Sequence, residues 1–538
     1  MQQSNGDGRP HLQDIMVGRE ELRADRLGYS IGARNRSAET PGRAETSAPG
    51  CLRSACRDRA SGTAIQCIIA ASGRKNMDDL GTPVGKAIGE LKGLLGDRLV
   101  TSVSVREHHS HDTSRLAPHL PDAVVFPRSE EEVQAIVSAC AAHGVPVVPF
   151  GAGSSMEGHT IPIRGGISLD TREMNRIVEI RPEDLLAVVQ PGVTRKQLNV
   201  DLRETGLMFS VDPGADASIG GMASTRGSGT TSVRYGTMRE NVLALRVVTP
   251  DGEAIQTGSR ARKSSSGYDL THLFVGSEGT LGVITELTVR LHPIPEAVSS
   301  AICSFPTVAN AVEAVIEAVQ YGIPVARVEF LDEVAIASTN NYSKLGLPVA
   351  PTLFFEFHGT AAWVKEQAQL VEEITRGHDA ISFRWTADAD ERAKLWQARH
   401  DLYWATKAII PGFELYTGDI CVPISRLAES IVAARADIDA SSLKGQIIGH
   451  VGDGNFHTAY LIDPNNPDHL READEMADRV VERALAVGGT ASGEHGIGIA
   501  KLKFMRKEHG KAVDVMKKIK AALDPLGIMN PGKMGDAG

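Results

Sequence analysis

The sequence predicts an α+β protein with two main domains, and three observations support this. The chain has 538 residues, and a single hydrophobic core rarely grows beyond roughly 250–300 residues. Pro293 and Pro295 interrupt the chain after a strand-like stretch and mark a domain boundary. Beyond them, helical stretches alternate with short strands, which is typical of an α+β domain with an antiparallel sheet. We therefore expect domains at 77–295 and 296–523, followed by a C-terminal tail at 524–538.

The composition excludes several classes of protein. Hydrophobic residues make up 42% of the chain and charged residues 23%, as in ordinary globular proteins. The formal net charge of −10 and the lack of a basic stripe argue against nucleic acid as a partner. No stretch reaches the roughly 18 consecutive apolar residues of a membrane span, although peripheral membrane contact stays open. Six cysteines without regular spacing do not predict a disulfide framework.

Residues 1–76 differ from the rest of the chain. They are rich in Arg, Ser, Gly and Ala and have no apolar period, so we expect a disordered or cleaved tail. An Arg-rich segment is typical of a mitochondrial transit peptide, but the acidic residues Asp14, Glu20, Glu21 and Asp25 argue against one. A start of translation at Met77 explains the composition equally well.

The first domain is predicted to mix helices and strands. Apolar residues at helical spacing in EEEVQAIVSACAAHG predict a helix, and VPVVPF predicts a buried strand that runs into a Gly-rich loop. The stretch VLALRVVTPDGEAI predicts a hairpin around Asp251-Gly252. Alternation in VITELTVRL predicts a strand whose odd positions face the core, namely Val283, Leu287, Val289 and Leu291.

The second domain is predicted to alternate longer helices with short strands. The helical stretches are AVEAVIEAVQYG, ERAKLWQARHDLYWATKAI and ADRVVERALAVGG. The strand-like stretches are VARVEFLD, TLFFEFHG and KGQIIGHVG.

Three Gly-rich loops in the first domain indicate a phosphate-bearing ligand. In PFGAGSSMEG, Gly151 and Gly153 fit the start of the G-x-G-x-x-G motif, but Met156 stands in place of the third glycine. The backbone N–H groups of such a loop can still point outward together and hold a pyrophosphate. A plain tight turn explains this loop equally well when it is taken alone. The similar loops at 213–229 and 276–285 favour the ligand site.

The stretch GHVGDGNFH places two histidines around an Asp-Gly pair. Asp453-Gly454 predicts a two-residue hairpin turn in which both residues adopt positive φ. In that register His450 lies directly opposite His457, with Cβ atoms roughly 4.5–5.5 Å apart on one face. The two imidazoles either share a metal ion or pack in a core, and the pair alone favours packing.

Longer motifs connect the chain to a known family. The order PFGAGSSMEGH, QPGV, PGADASIGGMASTRGSG and GYDLTHLFVGSEGTLGVIT resembles the FAD-binding domain of vanillyl-alcohol-oxidase (p-cresol methylhydroxylase) type flavoproteins. More narrowly, the chain resembles the branch that holds D-lactate dehydrogenases, D-2-hydroxyglutarate dehydrogenase and the glycolate oxidase flavin subunit. The resemblance implies a two-subdomain FAD-binding domain at 77–295 and a substrate- and metal-binding cap domain at 296–523.

The resemblance also implies where FAD binds. The first Gly-rich loop and 214–229 enclose the pyrophosphate, 282–284 follows the isoalloxazine and adenosine, and the C-terminal tail returns to the flavin. Some relatives attach FAD through a histidine in the first loop, where this chain has serines. We therefore expect non-covalent FAD. If the link is covalent after all, His159 is the residue that would carry it. The implied FAD-binding residues are Pro149, Phe150, Gly151, Ala152, Gly153, Ser154, Ser155, Pro213, Gly214, Gly220, Gly221, Ser224, Gly227, Gly282, Val283, Ile284 and Asn530.

A metal site is expected in the second domain. The stretch ASGEHGIG carries Glu494 and His495 in a Gly-rich loop, where functional groups are common. Together with His450 and His457, Glu494 makes an open three-ligand site suited to Zn²⁺ or Mn²⁺. The resemblance maps the metal ligands onto these three residues and the catalytic base onto His495. Motif position makes Arg399 the partner of a substrate carboxylate.

These residues suit the oxidation of a small 2-hydroxy acid. A hydride moves from Cα to the flavin while the hydroxyl loses its proton, and a divalent ion lowers the pKa of a coordinated oxygen. An imidazole with a pKa of about 6.5 can accept that proton. Thr417 stands where relatives that act on 2-hydroxyglutarate have a lysine. This favours lactate or another short or apolar 2-hydroxy acid. The resemblance to D-lactate dehydrogenases implies the D form, so the expected reaction is the oxidation of D-lactate to pyruvate.

The resemblance extends to partners and location. It implies electron transfer to cytochrome c or another acceptor such as a quinone, and a homodimer. The expected location is the cytoplasm, the inner face of a respiratory membrane, or mitochondria if 1–76 is a transit peptide. The alternatives are a D-2-hydroxyglutarate or glycolate dehydrogenase, a metal-dependent hydrolase and a non-catalytic flavin subunit. The cluster EHHSHD at 107–112 is not expected to bind a metal.

Overall fold

The computed structural model describes residues 81–534. The predictions for 1–76 and for a start at Met77 lie outside this part of the chain. Helices and strands both occur throughout 81–534, which confirms the α+β class. None of the helices in this range combines the length and apolar character needed to cross a bilayer.

The first half of the described chain mixes short helices with three small sheets. Its elements are α1 Pro83–Leu95, β1 Leu99–Val100, α2 Val103–His108, β2 Ala123–Val125, α3 Glu130–His143, β3 Val147–Phe150, β4 Ile167–Asp170, β5 Ile177–Arg181, β6 Leu186–Val189, α4 Arg195–Asp201, β7 Leu207–Met208, α5 Ile219–Thr225, α6 Ser232–Tyr235, α7 Met238–Asn241, β8 Val242–Val248, β9 Ala254–Gln256, α8 Leu270–Phe274, β10 Val283–Arg290 and β11 His292–Pro293.

Most of these strands form a mainly parallel sheet and an antiparallel sheet, and β7 pairs with β11 in a third. The first has the order β1-β2-β4-β3, in which only β1 is antiparallel. The second has the order β5-β6-β10-β8-β9 and is antiparallel throughout. β8 and β9 form the predicted hairpin, and Gly252 in its turn has a φ of 84°. The predicted core positions of β10 and the residue after it are all buried: Val283, Leu287, Val289 and Leu291.

The second half has longer helices packed on one large sheet. Its elements are β12 Ala297–Ser304, α9 Val308–Gln320, β13 Val325–Leu331, α10 Glu333–Ser343, β14 Thr352–Gly359, α11 Ala361–Gly377, β15 Ser382–Thr386, α12 Ala389–His400, α13 Leu402–Lys407, β16 Glu414–Thr417, β17 Ile420–Cys421, α14 Leu427–Ala440, β18 Lys444–Gly449, β19 Asn455–Ile462, α15 Pro467–Ala486, α16 Met505–His509 and α17 Ala512–Leu523.

The large sheet has the order β15-β12-β14-β13-β18-β19-β16, and β17 also pairs with β19. All of its pairings are antiparallel, as predicted for this half of the chain. The helix predicted over 391–409 is wrong as a single element, because it is broken at Asp401 into α12 and α13. The domain division at residue 295 stays a prediction.

The histidine hairpin differs from the predicted register. β18 ends at Gly449, and Ile448 rather than His450 lies opposite His457. The backbone N–H of Asp453 donates to the His450 carbonyl, and of the Asp-Gly pair only Gly454 has positive φ, at 81°. The predicted two-residue turn is therefore wrong. Because side chains alternate along a strand, a shift of two residues leaves His450 and His457 on the same face.

Two other segments reach the end of the sheet where this hairpin lies, and the C-terminal tail reaches the Gly-rich loops. Arg399 occupies the last turn of α12, and Glu494 and His495 lie in the loop after α15. The C-terminal tail returns to β3, where the Asn530 N–H donates to the Val147 carbonyl at 2.8 Å. The Asn530 side chain then donates to the carbonyls of His159 and Glu278, at 3.0 and 2.7 Å. The tail therefore joins two of the Gly-rich loops.

Candidate active site

One cavity of about 540 Å³ lies between the Gly-rich loops and the histidine hairpin. This volume is within the range of roughly 300–1,000 Å³ that is usual for ligand sites. Every residue proposed for FAD, metal or catalysis lines it, except Gly282. A Cβ on Gly282 would lie 2.7 Å from both Val247 Cγ1 and the Val248 carbonyl, so this glycine serves the close packing of the loop on β8.

The first Gly-rich loop fits a bound pyrophosphate. Within 81–534, the backbone N–H groups of residues 152–155 donate no hydrogen bond, and all four residues line the cavity. Consecutive N–H groups without partners make an anion site. The loop also packs tightly against the second Gly-rich segment, because a Cβ on Gly151 would lie 2.5 Å from Ser218 Oγ. The residues present therefore fit the phosphate part of FAD.

The predicted metal ligands converge at the other end of the cavity. Glu494 Oε1 lies 3.5 Å from His450 Nε2 and 3.3 Å from His457 Nε2. The three ligand atoms lie within 4.8 Å of one another, and the two imidazole centroids are 5.3 Å apart. Two imidazole nitrogens and a carboxylate oxygen at this spacing fit a divalent ion with open positions. The register error therefore did not affect the predicted ligand set.

A buried carboxylate faces the outer nitrogen of each histidine ring, and sequence reasoning missed both carboxylates. Glu329 Oε1 accepts a hydrogen bond from His450 Nδ1 at 2.6 Å, and Asp419 Oδ1 lies 3.6 Å from His457 Nδ1. Each carboxylate faces the nitrogen that points away from Glu494. Outer carboxylates of this kind fix the ring orientation of metal-binding histidines. An acidic residue inside the apolar strand VARVEFLD was the sequence signal for Glu329.

Asp419, His457 and His495 form a second group with metal-ligand spacing. Asp419 is already saturated, because its Oδ2 accepts from Ser492 Oγ and from the N–H groups of Glu494 and His495 at 2.9–3.0 Å. Its Oδ1 accepts from the side chain of Asn455 at 2.8 Å. Asp419 therefore holds the 492–495 loop in place, and the His450, His457 and Glu494 group is the better candidate metal site.

The charges around this site suit a cation. Burial alone would raise the pKa of Glu494, but the imidazoles of His450 and His457 outweigh it and hold this pKa well below its usual range. Burial would lower the pKa of His450, but Glu329 and Glu494 outweigh it and raise this pKa well above its usual value. A divalent ion held by His450 Nε2 and Glu494 would take the place of the imidazole proton as the counter-charge of this carboxylate.

His495 stands beside the proposed metal ligands. Its ring stacks on that of His457, with centroids 5.4 Å apart and planes 15° apart. Its Nδ1 lies 3.3 Å from Glu157 Oε1, and Lys501 Nζ lies at the same distance from that oxygen. Burial would lower the pKa of His495, but the carboxylates of Asp419 and Glu157 outweigh it and raise this pKa. Glu157 fixes one ring nitrogen, so the other is available for proton transfer.

Arg399 lines the cavity, and part of its guanidinium is hydrogen-bonded to Glu329. Its Nε and Nη2 both donate to Glu329 Oε2, at 3.0 and 2.7 Å. A guanidinium has five N–H groups, so three remain, two on Nη1 and one on Nη2. Two of these, one on each Nη, lie along the Nη1–Nη2 edge of the fork, and that edge can hold a carboxylate in bidentate fashion.

Two other predictions concern histidines of the predicted first domain: that the EHHSHD cluster binds no metal, and that FAD is not covalently attached. His109 bonds to Asp170 and to the Val105 carbonyl, at 2.9 and 2.8 Å, and the EHHSHD cluster forms no metal-like group within the described chain. His159 lines the cavity and lies 3.2 Å from Glu278 Oε1. The prediction of non-covalent FAD stays a prediction.

Known proteins match the chain over both halves. Residues 121–258 match the family described as FAD binding domain, and residues 294–534 match FAD linked oxidases, C-terminal domain. A probable mitochondrial D-lactate dehydrogenase of Danio rerio is 48% identical over 456 residues, which cover 84% of this chain and 92% of that protein. A mitochondrial D-lactate dehydrogenase (cytochrome) of Arabidopsis thaliana is 47% identical over 450 residues, 83% of this chain and 79% of that protein.

A solved structure agrees with the fold. The crystal structure of p-cresol methylhydroxylase with substrate bound has a TM-score of 0.70 and 20% identity to this chain. The likeness covers 84% of this chain and 97% of that one. It concerns the fold alone, and it confirms the predicted fold class.

Proposed function

We propose, given that this chain belongs to the family of FAD-linked oxidases, that it is an FAD-dependent dehydrogenase of D-2-hydroxy acids and that it oxidises D-lactate to pyruvate. The observation that carries the proposal is the placement of two kinds of site in one cavity. Loops that fit a pyrophosphate line one part of it, and His450, His457, Glu494 and His495 line another. A substrate bound between the FAD loops and these four side chains would contact both sites.

The side chains divide the work of alcohol oxidation. Bound FAD supplies the hydride acceptor, and a bound divalent ion, Zn²⁺ or Mn²⁺, lowers the pKa of a coordinated hydroxyl. Arg399 pairs with the substrate carboxylate through its unengaged edge and so fixes the orientation of Cα. His495 accepts the hydroxyl proton, while Glu157 holds its ring. His450, His457 and Glu494 hold the ion.

The walls of the cavity favour a short or apolar substrate. The apolar side chains of Leu402, Leu415, Ile448 and Ala459 line the same cavity. Arg399 is the only arginine or lysine among the described residues that line it. A second substrate carboxylate would therefore be desolvated without a cationic partner, which is costly. This favours D-lactate over D-2-hydroxyglutarate.

The proposal extends to the acceptor and the location. Relatives named as cytochrome-type and mitochondrial support a cytochrome as electron acceptor and a mitochondrial location. We take cytochrome c as that acceptor, with a quinone as the alternative. A homodimer and peripheral membrane contact are part of the same proposal. The resident FAD is expected to be non-covalent.

An anaerobic substrate panel tests the proposal. The FAD-loaded protein is mixed with D- and L-lactate, glycolate and D-2-hydroxyglutarate, and the loss of oxidised-flavin absorbance is followed. We expect the fastest reduction with D-lactate. Fastest reduction by another acid would refute the substrate assignment, and no reduction by any acid would indicate a non-catalytic subunit. A protein that binds no flavin would refute the enzyme class.

A further inference from the structure

We propose that Glu329 is a positioning residue that links the metal-binding and carboxylate-binding parts of the active site. The inference rests on the proposed function, because it assigns roles to His450 and Arg399. It goes beyond that function by giving a role to a buried side chain that neither coordinates the ion nor contacts the substrate. Glu329 lies on β13 and has no exposed surface.

Glu329 uses each oxygen for a different partner. Oε1 accepts from His450 Nδ1 at 2.6 Å, whereas Oε2 accepts from Nε and Nη2 of Arg399 at 3.0 and 2.7 Å. Charge-assisted bonds of this length are stronger than neutral hydrogen bonds. One carboxylate therefore fixes both an imidazole and a guanidinium.

The two partners come from separate segments, and Glu329 joins them. β13 pairs with β18 next to the histidine turn, where Phe330 lies opposite Gly449. This pairing places Glu329 beside the turn that starts at His450. Arg399 arrives from the last turn of α12, an element outside the sheet. Glu329 thus sets the distance between the end of α12 and the histidine turn.

That distance matches a feature of the substrate. A 2-hydroxy acid carries its hydroxyl and its carboxylate on adjacent carbons, so the groups that receive them must stay at one separation. Misplacement by about 1 Å is enough to cost roughly 10²-fold in rate. Glu329 therefore keeps the groups that receive the hydroxyl and the carboxylate at the one separation that this substrate needs.

A charge-balancing role is the competing explanation, and Glu356 offers a matched control. Glu356 lies on the neighbouring strand β14, is also buried, and also pairs with a histidine and an arginine. Its Oε1 lies 2.8 Å from His358 Nε2 and 3.5 Å from Arg327 Nε. Glu356 does not line the cavity and contacts no proposed metal ligand. Glu356→Gln thus measures the general effect of removing a buried carboxylate.

The test measures Mn²⁺ binding to the FAD-loaded protein by the electron paramagnetic resonance signal of free Mn²⁺. For Glu329→Gln we expect the Kd for Mn²⁺ to rise about 10–100-fold, as for other outer-shell changes. At saturating Mn²⁺, the KM for D-lactate should rise about 10-fold or more. Glu356→Gln should stay within about threefold of wild type in both. An equal effect of the two variants, or a wild-type Kd in Glu329→Gln, overturns the proposal.

A second variant separates positioning from charge. Glu329→Asp keeps the buried charge but is too short to hold both partners, so positioning predicts a rise in the Kd for Mn²⁺ or in the KM. Wild-type values in Glu329→Asp would leave only a charge-balancing role and overturn the proposal. This variant also decides the matter if Glu329→Gln does not fold. Failure of the wild-type protein to bind either Mn²⁺ or Zn²⁺ would instead refute the proposed metal site, and the role of Glu329 with it.

Discussion

Replacement of His457 by Ala separates flavin binding from catalysis. His457 supplies one of the three proposed metal ligands, on β19. Its removal should leave the neighbouring loop in place, because Asp419 keeps its bonds to Asn455, Ser492 and the 494–495 backbone. The FAD loops are formed by other segments. We therefore expect His457→Ala to bind FAD normally and to lose flavin reduction by D-lactate.

The size of the loss follows from the acidity of the hydroxyl. Zn²⁺ lowers the pKa of bound water from 15.7 to about 7. Each pKa unit corresponds to about 1.4 kcal/mol, so the full effect is about 12 kcal/mol. The loss of even a third of this stabilisation, about 4 kcal/mol, would slow the reaction about 10³-fold. Flavin reduction in His457→Ala should therefore fall at least 10³-fold below that of wild type.

Stopped-flow absorbance under anaerobic conditions measures this rate, and the flavin spectrum of the purified protein reports FAD content. His469→Ala is the matched control, because His469 lies on α15 and does not line the cavity. It should reduce flavin at the wild-type rate. Reduction by His457→Ala within about tenfold of wild type would refute the reasoning. Loss of FAD from His457→Ala would assign His457 a structural role.

Three further predictions concern separate parts of the site. Arg399→Lys loses the planar fork, so the KM for D-lactate should rise about 10–100-fold in steady-state assays; an unchanged KM would remove Arg399 from substrate binding. His495→Gln should lower kcat about 10²–10⁴-fold while FAD and Mn²⁺ stay bound; wild-type kcat would exclude it as the base. A Cβ at Gly220 would lie 2.4 Å from Pro191 Cβ, whereas one at Gly214 meets nothing within 4 Å. Gly220→Ala should therefore lose FAD on gel filtration and Gly214→Ala should retain it; equal FAD content would contradict the packing argument.

The hairpin shows what a local pattern can and cannot predict. The prediction that His450 and His457 point to the same side rested on a register that is wrong, yet the Nε2 atoms of both rings lie 3.5 and 3.3 Å from Glu494 Oε1. The register was wrong because only Gly454, and not Asp453, adopts positive φ. The choice between turn types depends on how β18 and β19 pair along their full length, and that information is spread over the strands.

The positions of the carboxylates beside the histidine rings could not be predicted from the sequence, for a different reason. Glu329, Asp419 and Glu157 come from three segments far from the histidines in the chain, and only the folded sheet and loops bring them to the rings. A charged residue in a buried strand signals a partner but does not identify it. Gly282 shows the converse, because its motif position suggested flavin contact while its surroundings require a small residue for packing.

The most direct test of the account is anaerobic flavin reduction by D-lactate before chelation with EDTA, after it, and after Mn²⁺ is added back. Metal content and the flavin spectrum are recorded at each stage. We expect rapid reduction at first, a fall of at least 10³-fold after chelation with FAD still bound, and recovery with Mn²⁺. Reduction of the metal-free protein at the original rate would contradict the claim that His450, His457 and Glu494 hold an ion that the reaction needs.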